Sequence, residues 1–113
     1  MNISPETLKQ RLDEREKGGD DFVLLDVRNP NEQEIAIIPG TDLLIPLADF
    51  DLEISKLNNY KMEGKEIIVY CRSGGRSTTA CGKLQRNGFS KILNLEGGIL
   101  SYSDEADPSI PKY

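Results

Sequence analysis

The sequence of 113 residues contains no histidine and only two cysteines. Without an imidazole, Ser-His-Asp and Cys-His catalysis are excluded, and so are zinc sites that use histidine. Two cysteines are also too few for a four-thiolate zinc site, and they do not suggest a disulfide scaffold. We therefore expect no metal and no other cofactor. Any chemistry must come from a thiol, carboxylates, arginines or backbone dipoles.

Long apolar runs are missing as well. No stretch approaches the roughly 20 apolar residues that a membrane helix needs. The first six residues do not combine a basic region with an apolar stretch, as a secretory signal does. Hydrophobic residues make up 37% of the chain and charged residues 29%, an ordinary composition for a globular domain. We expect a single domain over residues 1–113, located in the cytoplasm.

The chain has fewer basic than acidic residues, 14 against 19, and its net charge is −5. This balance argues against nonspecific nucleic-acid binding. Basic residues are nevertheless concentrated between Cys71 and Lys91, where five of them occur without an acid. An anionic ligand at this place would explain the cluster, and so would a helix with a solvated basic face. Charge alone leaves both interpretations open.

Short apolar runs alternate with helical patterns along the chain. Strands are predicted at residues 22–27, 43–45, 67–70 and 92–95. Helices are predicted from the Ser4 cap to the glycines at 18–19, and over residues 47–57, 77–87 and 97–102, with an extended tail from Asp104. This alternation indicates an α/β domain with a mostly parallel sheet flanked by helices. Ligands bind beyond the carboxyl ends of such strands, where residues 26–28 and Cys71 would meet.

The segment between the third strand and the following helix is the candidate site. It consists of Cys71, Arg72, Ser73, Gly74, Gly75, Arg76 and Ser77. The glycines allow a tight loop with inward-facing N–H groups, and the positive end of the helix dipole points to the same place. Such a cradle lowers the pKa of a thiol and equally binds an oxyanion, and Arg72 and Arg76 add positive charge. Cys71 is therefore the candidate nucleophile, and it needs no histidine base.

The two cysteines are given different roles. Cys71 could be an inert residue at the end of a buried strand. The coincidence of thiol, glycine loop, arginines and helix start favours the nucleophile. Cys81 falls on the apolar face of the helix and is interpreted as a packing residue. A disulfide between them is not expected, since their Cα atoms should be farther apart than the ~7 Å limit.

Residues 71–77 resemble the active-site loop of the rhodanese (sulfurtransferase) family, in which the cysteine becomes a persulfide. Two further motifs are similar to the family's signatures and occur in the right order. They are Asp26-Val27-Arg28 with Glu32 or Glu34 and then Ile38-Pro39-Gly40, and Leu95-Glu96-Gly97-Gly98-Ile99 with Tyr102. The resemblance covers about residues 3–102. It implies a rhodanese-like fold and a persulfide on Cys71.

A narrower likeness involves residues 26–32 and 107–113. They resemble the carboxy-terminal rhodanese domain of molybdopterin-synthase sulfurylase-type proteins, which fuse an adenylyltransferase to a rhodanese domain. The likeness implies a partner adenylyltransferase and a small ubiquitin-like sulfur carrier, in molybdopterin, thiamine or tRNA thiolation. The chain is either a stand-alone relative or an excised domain. It departs from the family at residues 36–38, where Gly-His-Ile is frequent, and at Tyr102, where tryptophan is usual.

The resemblance implies a sulfurtransferase that takes sulfane sulfur from a donor such as thiosulfate or a persulfide-bearing protein. Arg76 and Arg28 are expected to attract the anionic group of the donor, and Arg72 to steer it from the rim. A phosphatase or arsenate reductase of the same fold is an alternative, but those enzymes place five residues between cysteine and arginine, and only four separate Cys71 from Arg76. A non-catalytic binding module is a second alternative, which the presence of Cys71 disfavours.

Overall fold

In the computed structural model, which describes residues 1–113, five parallel strands form one sheet with the order β1-β5-β4-β2-β3. The most central strand, β4, is buried along its whole length, and so is its neighbour β2. The strands are β1 (Asn2–Ile3), β2 (Val23–Asp26), β3 (Leu43–Leu44), β4 (Ile67–Tyr70) and β5 (Ile92–Leu95). The predicted α/β fold with its parallel sheet is confirmed.

Six α-helices flank the sheet. They are α1 (Pro5–Glu16), α2 (Pro30–Ile35), α3 (Phe50–Glu53), α4 (Asn58–Glu63), α5 (Gly75–Arg86) and α6 (Gly98–Glu105). Short 3₁₀ turns at Leu47–Asp49 and Ile54–Leu57 connect the pieces around α3. None of the helices combines the length and the apolar character needed to cross a membrane.

The sheet separates two apolar cores. Because side chains of a strand alternate between its faces, Ile68 and Tyr70 of β4 pack into one core, and Ile67 and Val69 into the other. The first core is closed by α1 and α6, and the second by α3 and α5. This double burial explains why the central strands read as unbroken apolar runs.

The carboxyl ends of β2 and β4 are level. Asp26 pairs in register with Tyr70, so the segments that follow both strands leave the sheet at one edge. The N–H of Val27 donates to the Tyr70 carbonyl oxygen at 3.0 Å and fixes this alignment. The site loop is therefore anchored to the most buried part of the sheet.

Several predicted boundaries are wrong. Residues 47–57 do not form one helix but a series of short helical turns. The helix predicted over 77–87 begins two residues earlier, at Gly75. The edge strand β1 and the helix α2 were not predicted, and both are short.

The tail expected to be extended from Asp104 is also different. Helix α6 continues to Glu105, and the chain then folds back on the domain. Ile110 is buried in the first core, and the hydroxyl of Ser103 donates to its carbonyl oxygen at 2.6 Å. This return brings Tyr113 to the edge of the sheet where Cys71 lies.

Candidate functional site

Cys71 is the first residue after β4, and its side chain is only 1% exposed. The chain then turns through Arg72 and Ser73 to Gly74, whose φ of +115° lies in the left-handed region that glycine tolerates. Helix α5 starts at the next residue. The loop therefore wraps around the sulfur and directs the N-terminal end of α5 toward it.

Hydrogen-bond donors converge on the Cys71 sulfur. The N–H of Gly74 lies 3.1 Å from Sγ, and the N–H of Ser77 lies 3.4 Å from it. The Ser77 hydroxyl oxygen is also 3.4 Å away. These groups come from the loop and the first turn of α5, where backbone N–H groups lack helical partners and the helix dipole is positive. The arrangement favours a negative charge on sulfur.

Burial and hydrogen bonding change the pKa of the Cys71 thiol in opposite directions. Burial raises the pKa of the thiol, but hydrogen bonds from the Ser77 side chain and from the backbone amides of Ser77, Gly74 and Ser73 lower it, and the pKa ends below its ordinary value. Around Cys81 burial is the largest influence and raises the pKa of that thiol to about 11, and no hydrogen bond to the sulfur opposes it. Both cysteines are free thiols. Cys81 packs at the border of the second core, as expected of a packing residue.

The Ser77 hydroxyl can serve either protonation state of Cys71. It lies 3.1 Å from the Gly74 carbonyl oxygen, to which it donates while accepting from the Cys71 thiol. When Cys71 is a thiolate, the single hydroxyl proton is free to turn to the sulfur. Ser77 is fully buried, so this hydrogen bond is shielded from water.

The start of α6, which follows Gly97, holds the Cys71 loop through hydrogen bonds to its carbonyl groups. The N–H of Ile99 donates to the Cys71 carbonyl oxygen at 2.9 Å, and the N–H of Leu100 donates to the Arg72 carbonyl oxygen at 3.2 Å. The approach is possible because Gly98 has no side chain: an added Cβ would lie 2.4 Å from the Arg72 oxygen. The start of α6 thus holds the carbonyl groups and leaves the loop amides to the sulfur.

Arg76 is the charged residue nearest to the start of α5, and its guanidinium is occupied. Nη1 and Nη2 donate to Oε1 and Oε2 of Glu32 at 2.6 and 2.9 Å. The Tyr113 hydroxyl donates to Oε2 of the same carboxylate at 2.7 Å. Hydrogen bonding by Arg76 lowers the pKa of Glu32 to about 2. Burial opposes this change, and hydrogen bonds from Tyr113 and the N–H of Asn29 add to it.

Arg28 does not reach the site, and its expected role in attracting a donor is corrected by the structure. Its side chain is 0% exposed and pairs with Asp26, with Nη2 2.7 Å from Oδ2. Its remaining N–H groups donate to the Ala36 carbonyl oxygen at 2.8 Å and to the Tyr113 hydroxyl at 2.8 Å. Withdrawing it would leave a buried unpaired carboxylate, which is strongly unfavourable. Arg28 is therefore a structural residue.

Arg72 and Ser73 lie on the exposed rim of the loop. The guanidinium of Arg72 stacks 5.1 Å from the centre of the Tyr113 ring, and its Nε donates to the Tyr113 carbonyl oxygen at 2.7 Å. No cavity opens at Cys71. The two surface cavities, of about 430 and 680 Å³, lie beside Tyr102 and beside Gly64. Cys71 itself is nearly inaccessible, so a reactant must approach the sulfur past the exposed rim of the loop.

Comparison with known proteins decides the family. The family model described as Rhodanese-like domain matches residues 4–105. The chain belongs to the rhodanese-like domain family. This confirms the resemblance inferred from the three motifs.

The relatives include a sulfurtransferase, and a solved structure of a rhodanese-related protein shares the fold. It is 33% identical over 108 residues to a sulfurtransferase from Allochromatium vinosum, covering 96% of this chain and 92% of that protein. It is 42% identical over 94 residues to the chloroplastic Rhodanese-like/PpiC domain-containing protein 12 of Arabidopsis thaliana, covering 83% of this chain and 31% of that protein. A rhodanese-related protein from Thermoplasma volcanium superimposes with a TM-score of 0.77 at 26% identity, over 99% of this chain and 98% of that one.

The name of a longer relative gives two activities. The domain is 30% identical over 112 residues to the probable adenylyltransferase/sulfurtransferase MoeZ of Mycobacterium tuberculosis, covering 98% of this chain and 26% of that protein. The rhodanese-like domain thus spans about a quarter to a third of two of these relatives and nearly all of the Allochromatium protein. Together the family and the relatives support a sulfurtransferase-type enzyme.

Sequence reasoning missed two groups at the rhodanese-like site. Glu32 was noted only as part of a motif, and Tyr113 only as part of a resembling tail, yet both contact the Arg76 network. The capping pattern of Asn29, Pro30 and Glu32 was a usable signal for a helix start, and it forms the capping box of α2. No local pattern connects Tyr113 to this place.

Proposed function

We propose that the domain transfers sulfane sulfur through a persulfide on Cys71. One observation carries the proposal: backbone amides and the Ser77 hydroxyl surround a sulfur whose pKa is held below its ordinary value despite burial. The thiolate is the nucleophilic form of cysteine, and this site favours it without a histidine.

The reaction takes place in two displacements. The Cys71 thiolate attacks the outer sulfur of the donor, the donor's S–S bond breaks, and the remainder leaves as sulfite from thiosulfate or as a thiolate from a persulfide. Cys71 then carries a terminal sulfur anion, which the amides of Ser73, Gly74 and Ser77 can stabilise. In the second step an acceptor nucleophile attacks that outer sulfur, and the Cys71 thiolate leaves.

The exposed rim of the Cys71 loop supports a protein as acceptor. Neither surface cavity is lined by Cys71, so contacts between the rim residues and the acceptor's own surface would position the acceptor. The likeness to MoeZ suggests an acceptor activated by an adenylyltransferase, such as a small ubiquitin-like sulfur carrier. Arg72 at the exposed rim is suited to contact such a partner.

The geometry speaks against a phosphatase or arsenate reductase. A bound tetrahedral oxyanion needs an arginine turned into the loop, and Arg76 instead forms two hydrogen bonds with Glu32. Four residues separate it from Cys71, one fewer than in those enzymes. An assay with an aryl phosphate should therefore give no turnover.

Intact-mass spectrometry tests the proposal. After incubation with thiosulfate or with cysteine persulfide, the protein should gain the mass of one sulfur atom, which maps to Cys71 and is removed by a reductant. The Cys81→Ser variant should gain it equally, and Cys71→Ser should not. A gain that persists in Cys71→Ser would refute the proposal.

A further inference from the structure

Glu32 occupies Arg76, the arginine at the start of α5 that could otherwise bind an anionic donor close to Cys71. The two hydrogen bonds from Arg76 are parallel, which is the strongest geometry between these groups. The Glu32 side chain is only 12% exposed, against 34% for that of Arg76. The ion pair is thus shielded on the side of the carboxylate.

Glu32 is itself held from two sides. Arg28 donates to the Tyr113 hydroxyl oxygen at 2.8 Å, so the hydroxyl proton is left to point at Oε2 of Glu32, 2.7 Å away. The N–H of Asn29 donates to Oε1 at 3.2 Å. The carboxylate is therefore tied to the buried Arg28–Asp26 pair, and an approaching anion cannot displace it freely.

These ion pairs determine how much uncompensated positive charge a donor encounters near Cys71. Arg28 is balanced by Asp26 and Arg76 by Glu32, so Arg72 at the exposed rim is the cation of the loop that pairs with no acidic side chain. Thiosulfate carries two negative charges toward a thiolate and depends on nearby cations. A persulfide anion on a cysteine carries one negative charge at its reacting end and depends on them less.

We propose that Glu32 is a specificity-determining residue, which disfavours thiosulfate by holding Arg76 and leaves the Cys71 site to persulfide donors. The preferred step is then attack of the Cys71 thiolate on the outer sulfur of R–S–S⁻. The donor's S–S bond breaks, R–S⁻ leaves, and the outer sulfur stays on Cys71 as a persulfide anion. This inference rests on the proposed sulfur transfer and names its donor class.

The test compares Glu32→Gln with Glu34→Gln. Glu34 lies on the same helix, is exposed and makes no hydrogen bond through its side chain, so its loss removes the same charge without freeing Arg76. Glutamine keeps the shape of Glu32 and can still accept from Asn29. Steady-state kinetics are measured for each variant with thiosulfate and with cysteine persulfide as donors.

We expect Glu32→Gln to raise kcat/KM for thiosulfate about tenfold, because a neutral amide holds Arg76 less strongly than a carboxylate and leaves it available for a charge-assisted hydrogen bond to the donor. Turnover of cysteine persulfide should change less than about threefold, and Glu34→Gln should leave both donors unchanged. Tyr113→Phe, which removes one support of the carboxylate, should raise thiosulfate turnover by a smaller factor. If Glu32→Gln does not fold, the thiosulfate turnover of Tyr113→Phe tests the inference in its place.

An unchanged ratio of the two donors in a folded Glu32→Gln variant would overturn the inference while leaving the Cys71 persulfide intact. An equal rise in Glu34→Gln would overturn it too, since charge alone would then explain the effect. Failure of both donors to place sulfur on Cys71 of the unaltered protein would instead refute the proposed function. Intact-mass spectrometry of the unaltered protein separates failure of the inference from failure of the proposed function, because it shows whether Cys71 gains sulfur at all.

Discussion

Two cysteines ten residues apart in the sequence have opposite surroundings in the fold. Cys71 is nearly inaccessible, and its pKa lies below the ordinary value. Cys81 is partly exposed, and burial among apolar neighbours raises its pKa to about 11. The comparison teaches that burial does not by itself make a thiol inert. Backbone N–H groups at the start of α5 face Cys71, whereas the amides around Cys81 are used within the helix.

The largest expected difference between the two cysteines appears when each is replaced by serine. Cys71→Ser should abolish sulfur transfer and keep the fold, because a hydroxyl of similar size cannot form a persulfide. Cys81→Ser should retain activity and lose about 1–2 kcal/mol of stability, because it buries a hydroxyl without a hydrogen-bond partner. Turnover and urea unfolding of both variants check the pair. Full activity in Cys71→Ser would remove the difference between the two sites.

Much of this difference could be predicted from the sequence. An apolar run, a cysteine and two glycines before a helix predict the amide-lined loop because each feature is local in the chain. The network around Arg76 could not be predicted, since Glu32 and Tyr113 lie 44 and 81 positions away from their partners. Arg28 was misassigned for the same reason: only the packed fold shows that Asp26 and Tyr113 occupy it. The short turns over 47–57 lack the length that makes a helical pattern reliable.

The anchoring of the Cys71 loop can be tested with two glycines. Gly98→Ala should lower sulfur transfer by about a hundredfold or more, because its Cβ would displace the Arg72 carbonyl and misplace the sulfur. Gly82→Ala is the matched control in the middle of α5, where the added Cβ meets Arg86 at an ordinary 3.5 Å. It should raise stability by about 0.5–1 kcal/mol and keep activity. Equal activities of the two variants would contradict the anchoring role.

The acidity of Cys71 should depend on Ser77. Ser77→Ala removes a buried hydrogen bond to the thiolate, so the pKa of Cys71 should rise and its alkylation rate near pH 7 should fall about tenfold. Thr79→Ala is the control, since the Thr79 hydroxyl is exposed and bonds only the Gly75 carbonyl oxygen. The pH dependence of iodoacetamide labelling, followed separately for both cysteines, measures the effect. A Ser77→Ala profile identical to that of the unaltered protein would assign the acidity to the backbone amides alone.

The smallest expected effect concerns Glu32, the carboxylate that pairs with Arg76 of the Cys71 loop. Hydrogen bonding by Arg76 lowers the pKa of Glu32 from its ordinary 4.5 to about 2. Between these values the unfolded chain binds more protons than the folded protein, so the contribution of Glu32 to stability is complete above about pH 5 and is lost as the pH falls toward 2. Urea unfolding from pH 2 to 7 should show the unaltered protein more stable than Glu32→Gln by about 1–3 kcal/mol at neutral pH, with the gap closing in acid. Glu34→Gln should follow the unaltered protein throughout, and a gap independent of pH would mean that Glu32 contributes by packing and not by its charge.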